Sequence, residues 1–330
     1  MENKKVLITG LAGFAGSHLA EACNARGWLV YGTIRHFRSD LSNLEGIQYK
    51  PVVADLMDYH ALADAVSKIK PHYLFHLAAQ SYVPESWTAP RQTLDVNLIG
   101  TLNVLEAVRK EYPDTVVQVC GTSEGYGMVE PDECPITEDQ PLRPLSPYGV
   151  SKVAADLLAS QYAASYHLRV IVTRAFNHTG ARRGQVFAES DWARQIVLAE
   201  TSQANRTVLH GNLESIRDYT DVRDIVEGYI LAVEKGKAGE VYNLCSGQGY
   251  AMGEVLQMLC ELAQVAVALV PDSNRMRPSD VPRLVGSYDK ARSELGWIPK
   301  IGFDKTLLSL LDYWRTKSGT RLRQEATTPS

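Results

Sequence analysis

A tyrosine and a lysine four residues apart, Tyr148 and Lys152, stand in the stretch Ser146-Pro147-Tyr148-Gly149-Val150-Ser151-Lys152. The stretch opens what reads as a long helix, to about Tyr166, and at that spacing both side chains lie on one face. A free phenol titrates near pH ~10, so a neighbouring ammonium is expected to move it toward use as a proton shuttle at neutral pH. The same pair also occurs as an ordinary solvated helix face. Upstream, the apolar run Val116–Cys120 gives way to Gly121-Thr122-Ser123-Glu124-Gly125-Tyr126-Gly127. Two hydroxyls and a carboxylate in succession, at the C-terminal end of a parallel strand, lie where open α/β sheets place their chemistry. A Ser/Thr turn is the plainer account.

Alternating strands and helices must position these groups. Val6-Leu7-Ile8 suits a buried parallel strand, followed by Thr9-Gly10-Leu11-Ala12-Gly13-Phe14-Ala15-Gly16 and a helix from Ser17 to about Arg26. In that context Gly10 makes a tight turn, Gly13 lets backbone approach a pyrophosphate, and Gly16 lets helix pack on strand. Phe14 and Ala15 lie within the same cradle. The spacing is GxxGxxG, which a plain glycine turn also satisfies. A second strand, about Leu29 to Ile34, ends in Arg35, where enzymes using NAD usually carry an acid. A cation there can pair with a 2′-phosphate, so NADP is favoured over NAD, against the alternative of an exposed basic turn. A third strand, Gln48 to Val53, leads to Asp55 and Leu56. Asp55 either faces an adenine or caps the next helix. A fourth, Tyr73 to Leu77, runs into Ala78-Ala79-Gln80-Ser81, small residues that allow close approach of a cofactor. One long helix is expected over Arg91–Glu111, with Asn97 a satisfied core amide. A sixth strand, Arg169 to Arg174, precedes Asn177 and His178, after which the pattern loosens as in a substrate lobe.

Of 330 residues, 45% are apolar and 22% charged, as in ordinary globular enzymes. That length suits a large domain with a smaller lobe. A net charge of −4, without a basic run, argues against nucleic acid as partner. No apolar stretch reaches bilayer length, so no membrane role is expected. The five scattered cysteines form no CxxC and suggest reduced thiols in a cytoplasmic protein, with no metal framework.

The ordered set TGLAGFAG (9–16), FHLAAQS (75–81), GTSEGYG (121–127) and SPYGVSK (146–152) resembles the extended short-chain dehydrogenase/reductase superfamily. The resemblance extends to about Trp314. The segments FNHTGARRGQVF (176–187), GNLESIRDYTDVRD (211–224), VYNLCSG (241–247), RMRPSDVPRLVG (275–286) and LGWIPK (295–300) resemble enzymes acting on GDP-mannose. The GDP-mannose 4,6-dehydratases carry Thr-Ser-Glu after the fifth strand and an Asn-His, Arg-Arg-Gly loop. The GDP-4-keto-6-deoxy-mannose reductases share the RDYTDVRD-type and VYNLCSG-type segments. Where dehydratases usually continue Asn-His-Glu-Ser-Pro, this chain has Thr179-Gly180-Ala181.

The resemblance implies an α/β fold: a Rossmann-type, doubly wound parallel sheet over 1–176. A nucleotide-sugar lobe is expected over 177–330, with about 205–245 returning to the first domain. It implies an NADP-dependent dehydratase acting on a GDP-sugar, with the 4-keto reductase as alternative. A 4-epimerase or a non-catalytic NADP-binding protein stands further off. Tyr148 would take the proton of the sugar 4-hydroxyl, Lys152 hold the nicotinamide ribose, Thr122 bond the reacting hydroxyl, and Glu124 remove the C5 proton. Cofactor contacts are expected from Gly10, Gly13, Phe14, Ala15, Gly16, Arg35, Asp55, Leu56, Leu77, Ala78, Ala79, Ser81, His178 and Arg183. Sugar-nucleotide contacts are expected from Ser81, Ser123, Asn177, Arg217 and Arg277. The two last suit a diphosphate as guanidinium forks, although a surface salt bridge explains any single one. A homo-oligomer is expected, either a dimer through helices 91–111 and 148–166 or a tetramer in which Arg35–Ser39 meets a neighbour.

Overall fold

The computed structural model describes residues 4–201, 206–276 and 281–325. Apolar runs without alternation must be covered on both faces, and here they build a parallel sheet between helical layers. Its strands are β1 (Lys5–Thr9), β2 (Leu29–Ile34), β3 (Lys50–Val53), β4 (Tyr73–His76), β5 (Val116–Cys120), β6 (Val170–Ala175) and a later strand, Val241–Leu244. The order across the sheet is Val241–Leu244, β6, β5, β4, β1, β2, β3. β1 therefore has β4 on one side and β2 on the other. A crevice opens at the carboxyl ends where the order reverses, and the turns after β1, β4 and β5 meet there.

Helices α1 (Phe14–Ala25) and α2 (Tyr59–Ile69) follow the first and third strands. The cap of α2 is Asp58, which accepts from the Ala61 N–H at 3.0 Å. The long helix expected over Arg91–Glu111 is divided. α3 (Val83–Thr88) and α4 (Pro90–Leu94) lead into a π-helical turn, Asp95–Ile99, and α5 (Gly100–Glu111) resumes beyond it. Asn97 lies in the wide turn, its side chain satisfied by Gln80 and Ser151.

The Tyr148/Lys152 helix is α6 (Pro147–Tyr166). Ser146 caps it by accepting from the Gly149 N–H at 3.0 Å, Pro147 occupies its first turn, and His167 ends it in the left-handed region at φ 57°. A buried ion pair fixes α6 to β6: Arg174 Nε meets Asp156 Oδ2 at 2.7 Å, with side-chain exposures of 8% and 6%. The Arg174 guanidinium also donates to the Tyr126 hydroxyl, which donates to Asn243 at 2.7 Å.

Beyond β6 the chain builds its second layer of strands: β7 (Asn177–Thr179), β8 (Thr207–His210) and β9 (Ile216–Asp221). β9 pairs in parallel with β7 and Arg283–Leu284 and antiparallel with Gly249–Ala251. Helices α7 (Ala188–Thr201), α8 (Val222–Lys235), α9 (Met252–Ala263) and α10 (Phe303–Glu325) complete the chain. α7, α9 and α10 share a core around Trp192, Leu256 and Leu307. Within 205–245, α8 and Val241–Leu244 belong to the main sheet's layers, while β8 and β9 stay in the lobe. Asp218 ties the lobe together, accepting from Ser246 N and Oγ, Gly247 N and Gly286 N. No helix among the described residues is long and apolar enough to cross a membrane.

Candidate active site

The glycine turn is a cradle in geometry as well as in sequence. Gly10 sits at φ 74°, and a Cβ there would meet the Ala78 backbone at 2.9 Å. A Cβ on Gly16 would lie 2.2 Å from the Gly10 carbonyl. The turn thus has no room for side chains, as backbone capture of a pyrophosphate at a helix N-terminus requires. Gly13 precedes α1 as its N-cap, with Phe14 and Ala15 partly buried in the first turn. Leu77, Ala78 and Ala79 line the end of β4 half-buried, and Ser81 is exposed. Arg35 is exposed at the end of β2, with no ion pair among the described residues. Asp55 is exposed at the end of β3 and accepts from the Met57 N–H at 2.9 Å; Leu56 is buried beside it. Its role as a helix cap is excluded, because Asp58 holds that position.

Across the crevice, β5 ends in a single 3₁₀ turn, Ser123–Gly125. Thr122 caps it, accepting from the Glu124 N–H at 3.3 Å, and its side chain lies beside the Tyr148 phenol. Ser123 is buried and Glu124 half-buried. Among the described residues the Glu124 carboxylate has no ion pair and no hydrogen-bond partner, yet it lies near enough to Tyr148 to oppose ionisation of the phenol. Lys152 is buried one turn along α6, and its ammonium likewise has no hydrogen bond among the described residues. Thr122, Glu124, Tyr148 and Lys152 therefore converge.

The phenol's titration differs from the sequence expectation. Burial pushes the Tyr148 pKa up, Cys120 and Glu124 add to the rise, and the Thr122 side chain opposes it. The cation that most opposes it is Arg183, not Lys152. Loss of hydration in the cleft wall outweighs the neighbouring charge. Burial lowers the Lys152 ammonium, against the pull of Cys120 and Asp156.

The cleft's other wall comes from the loop after β7. The His178 ring stacks on Phe14, with centroids 5.9 Å apart and planes 13° apart. The Arg183 guanidinium lies 3.4 Å from the Phe187 ring centroid and 5.0 Å from that of Phe14. It is also paired with buried Glu189 at 3.3 Å. Arg183 thus bridges the glycine turn and the lobe. Phe187 and Glu189 were not singled out in the sequence, although they follow Arg183 by four and six residues. Asn177 is half-buried at the start of β7. Arg217 is buried in β9, its Nη1 donating to the carbonyls of Ile216 and Val281 at 2.9 and 2.7 Å. This is a position inside the lobe, not the polar turn expected. Arg277 lies outside the described residues.

Three imidazoles around the site are held neutral. Burial pushes His18, His76 and His178 from 6.5 down to about 4, about 3 and about 4; Arg182, Lys152 and Arg183 respectively add to the effect. A histidine with a depressed folded pKa contributes stability that is present above 6.5 and lost as pH falls toward the folded value. The melting temperature is therefore expected to drop between pH 6.5 and 4, measured by calorimetry at fixed ionic strength. An unchanged value down to pH 4.5 would contradict this placement of the rings.

A glycine cradle at a switch point, with Thr, Tyr and Lys converging beside it, defines the short-chain dehydrogenase/reductase class. The chain belongs to the family described as GDP-mannose 4,6 dehydratase, whose sequence model matches residues 7–309. It is 33% identical to a GDP-6-deoxy-D-mannose reductase of Pseudomonas aeruginosa, over 98% of this chain and 99% of that one. It is 32% identical to GDP-mannose 4,6 dehydratase 2 of Arabidopsis thaliana, over 94% of this chain and 87% of that one. Among solved structures it matches RMD from Pseudomonas aeruginosa complexed with NADPH, with a TM-score of 0.83 and 32% identity over 96% and 100% of the two chains. It also matches UDP-glucose 4-epimerase of Thermotoga maritima, with a TM-score of 0.85 and 28% identity over 95% and 99%.

Proposed function

We propose that the protein is an NADP-dependent GDP-mannose 4,6-dehydratase, a lyase that makes GDP-4-keto-6-deoxy-mannose. The observation that carries this reading is the Glu124 carboxylate, without a partner among the described residues, beside Tyr148 and Thr122. A bound nicotinamide dinucleotide would supply the hydride acceptor and donor for this redox-neutral elimination. The cradle fits it: Gly10, Gly13 and Gly16 leave backbone alone facing the pyrophosphate, and Phe14, Ala15, Leu77, Ala78, Ala79 and His178 surround the crevice. Tyr148 takes the 4-hydroxyl proton, Thr122 orients that hydroxyl, and buried Lys152 holds the nicotinamide ribose. Once C4 is a ketone the C5 proton is acidic, and Glu124 removes it as water leaves C6. Ser81, Ser123, Asn177 and Arg217 contact the sugar nucleotide, a role the resemblance also gives Arg277, which lies outside the described residues. Run in D₂O, the reaction should leave solvent deuterium at C5 of the product; retention of the original proton there, by NMR, would exclude Glu124 as the base.

A second reading, the 4-keto reductase, is favoured by the 33% identical reductase. Reduction of the 4-ketone removes no C5 proton and so gives Glu124 no task.

Arg35, exposed and without an ion pair among the described residues, supports NADP over NAD. Arg35→Asp is expected to weaken NADPH at least about tenfold, the worth of one charge-assisted contact, with little change for NADH. Fluorescence titration of both cofactors decides it, and equal losses would refute the 2′-phosphate role.

A homodimer is proposed through α6 and the helices beside it, where Val150, Leu157 and Ile99 are 46%, 59% and 37% exposed. Leu157→Arg is expected to halve the mass seen by light scattering. A mass unchanged by that substitution would move the interface elsewhere. Free thiols at all five cysteines support a cytoplasmic setting.

A further inference from the structure

His76, the last residue of β4, is fully enclosed and takes no part in the chemistry above. Its hydrogen-bond partners nevertheless assign it one tautomer. The Thr101 hydroxyl donates its single proton to the Asn97 carbonyl at 2.6 Å. Facing His76 Nε2 at 3.0 Å, the Thr101 oxygen can therefore only accept, so Nε2 carries the ring proton. A neutral ring then has a bare Nδ1. It accepts from the Thr9 hydroxyl at 2.8 Å, and that oxygen in turn accepts the Ala78 N–H at 3.2 Å. Every donor in the chain points the same way.

The two ends of the chain are functional. Thr9 precedes Gly10, and the Ala78 backbone is the surface against which Gly10 packs. At the other end Asn97 is the centre of the π-helical turn. Its amide nitrogen donates to the Gln80 carbonyl at 3.0 Å and to Ser151 Oγ at 2.9 Å, and Ser151 donates to the Tyr148 carbonyl at 2.7 Å. We propose that His76 is a positioning residue that holds the cofactor-binding glycine turn in register with the Tyr148–Lys152 helix, through hydrogen bonds that run from Ala78 and Thr9 to the Asn97 carbonyl and resume from the Asn97 side chain to Ser151. The chain's polarity requires the neutral Nε2–H ring, in keeping with its burial and the nearby Lys152 charge.

The proposal rests on Tyr148 and Lys152 being the reacting pair, so its test has one arm that does not depend on activity. In ¹⁵N-histidine NMR of the full chain with NADPH bound, His76 should show the neutral Nε2–H tautomer unchanged from pH 5.5 to 9. An Nδ1–H tautomer, or titration in that window, overturns the proposal whatever the enzyme's reaction. In the second arm, His76→Phe keeps the ring's bulk and removes both bonds, while His76→Gln restores a donor toward Thr101. A small misplacement of reacting groups reduces turnover more than binding, so His76→Phe should lower kcat at least about tenfold while substrate KM stays within about threefold. His76→Gln should recover part of kcat, and Ser151→Ala combined with His76→Phe should cost less than the product of the single losses. A smaller fall in kcat, an equal change in KM, or independent losses in the double variant would refute the positioning role. If His76→Phe does not fold, His76→Gln is read by the same criteria, with an expected kcat between parent and the Ser151→Ala variant. A His76→Gln kcat equal to the parent's would then overturn the proposal.

Discussion

Glu124→Gln should reduce the turnover of GDP-mannose by about 10²–10⁴-fold, the range one general base contributes, while leaving the protein folded. The substitution keeps the size and hydrogen-bonding shape of the side chain and removes only its capacity to accept a proton. Folding is expected to be preserved because the carboxylate has no structural partner among the described residues. NADPH affinity should be unchanged, since Glu124 lies on the β5 side of the crevice and the glycine cradle on the other. In the proposed mechanism oxidation at C4 relies on Tyr148, Thr122 and Lys152 and should survive, so a single turnover with NADP⁺ should show reduced cofactor accumulating where the parent shows little. Full dehydration by the variant would reassign the base.

Asp156→Ala is expected to be the most damaging change away from the cleft. It removes one partner of a pair buried at 2.7 Å and strands the Arg174 guanidinium without its carboxylate. Breaking such a pair costs about 3–5 kcal/mol, because the remaining charge stays dehydrated. The Tyr126 hydroxyl, which accepts from Arg174 and donates to Asn243, offers that charge only a neutral partner. Asp156 also lies one turn beyond Lys152 and helps hold its ammonium charged. Urea denaturation should therefore show a large fall in unfolding free energy, and surviving folded enzyme should have an altered pH–rate profile. Removing both partners, as Asp156→Leu with Arg174→Leu, should restore much of the stability. A single variant within 1 kcal/mol of the parent, about the worth of an exposed pair, would show the interaction to be solvated in solution.

The parts of the site written in consecutive residues were legible in the sequence. The Gly10–Gly16 turn, the Thr122–Glu124 strand end and the Ser146-capped helix each follow from local steric and capping rules, and their order along the chain gives the Rossmann arrangement. Features made by contacts between distant segments were not legible. The apolar pattern over Arg91–Glu111 carries no sign of the π-helical turn, since periodicity registers which face is apolar and not a shift from i→i−4 to i→i−5 bonding. Asn97 reads from the sequence as a satisfied amide, but its partners Gln80 and Ser151 lie 17 and 54 residues away. Arg217 looked like a free fork in a polar turn because the sequence cannot show that the Val281 carbonyl faces it. The sequence puts Arg183 on the cofactor side; the structure adds the lobe, through Phe187 and Glu189. A nearby lysine predicts a lowered phenol pKa, and loss of hydration in the cleft wall raises it instead.

The most direct test is to incubate the purified protein with GDP-mannose and catalytic NADP⁺, with no NADPH added, and to follow nucleotide-sugar mass and cofactor absorbance together. A dehydratase converts GDP-mannose to a species lighter by one water, with no net change in the cofactor's redox state. GDP-mannose left unchanged, with NADPH consumed when the 4-keto-6-deoxy sugar nucleotide is supplied, would contradict the assignment and establish the reductase.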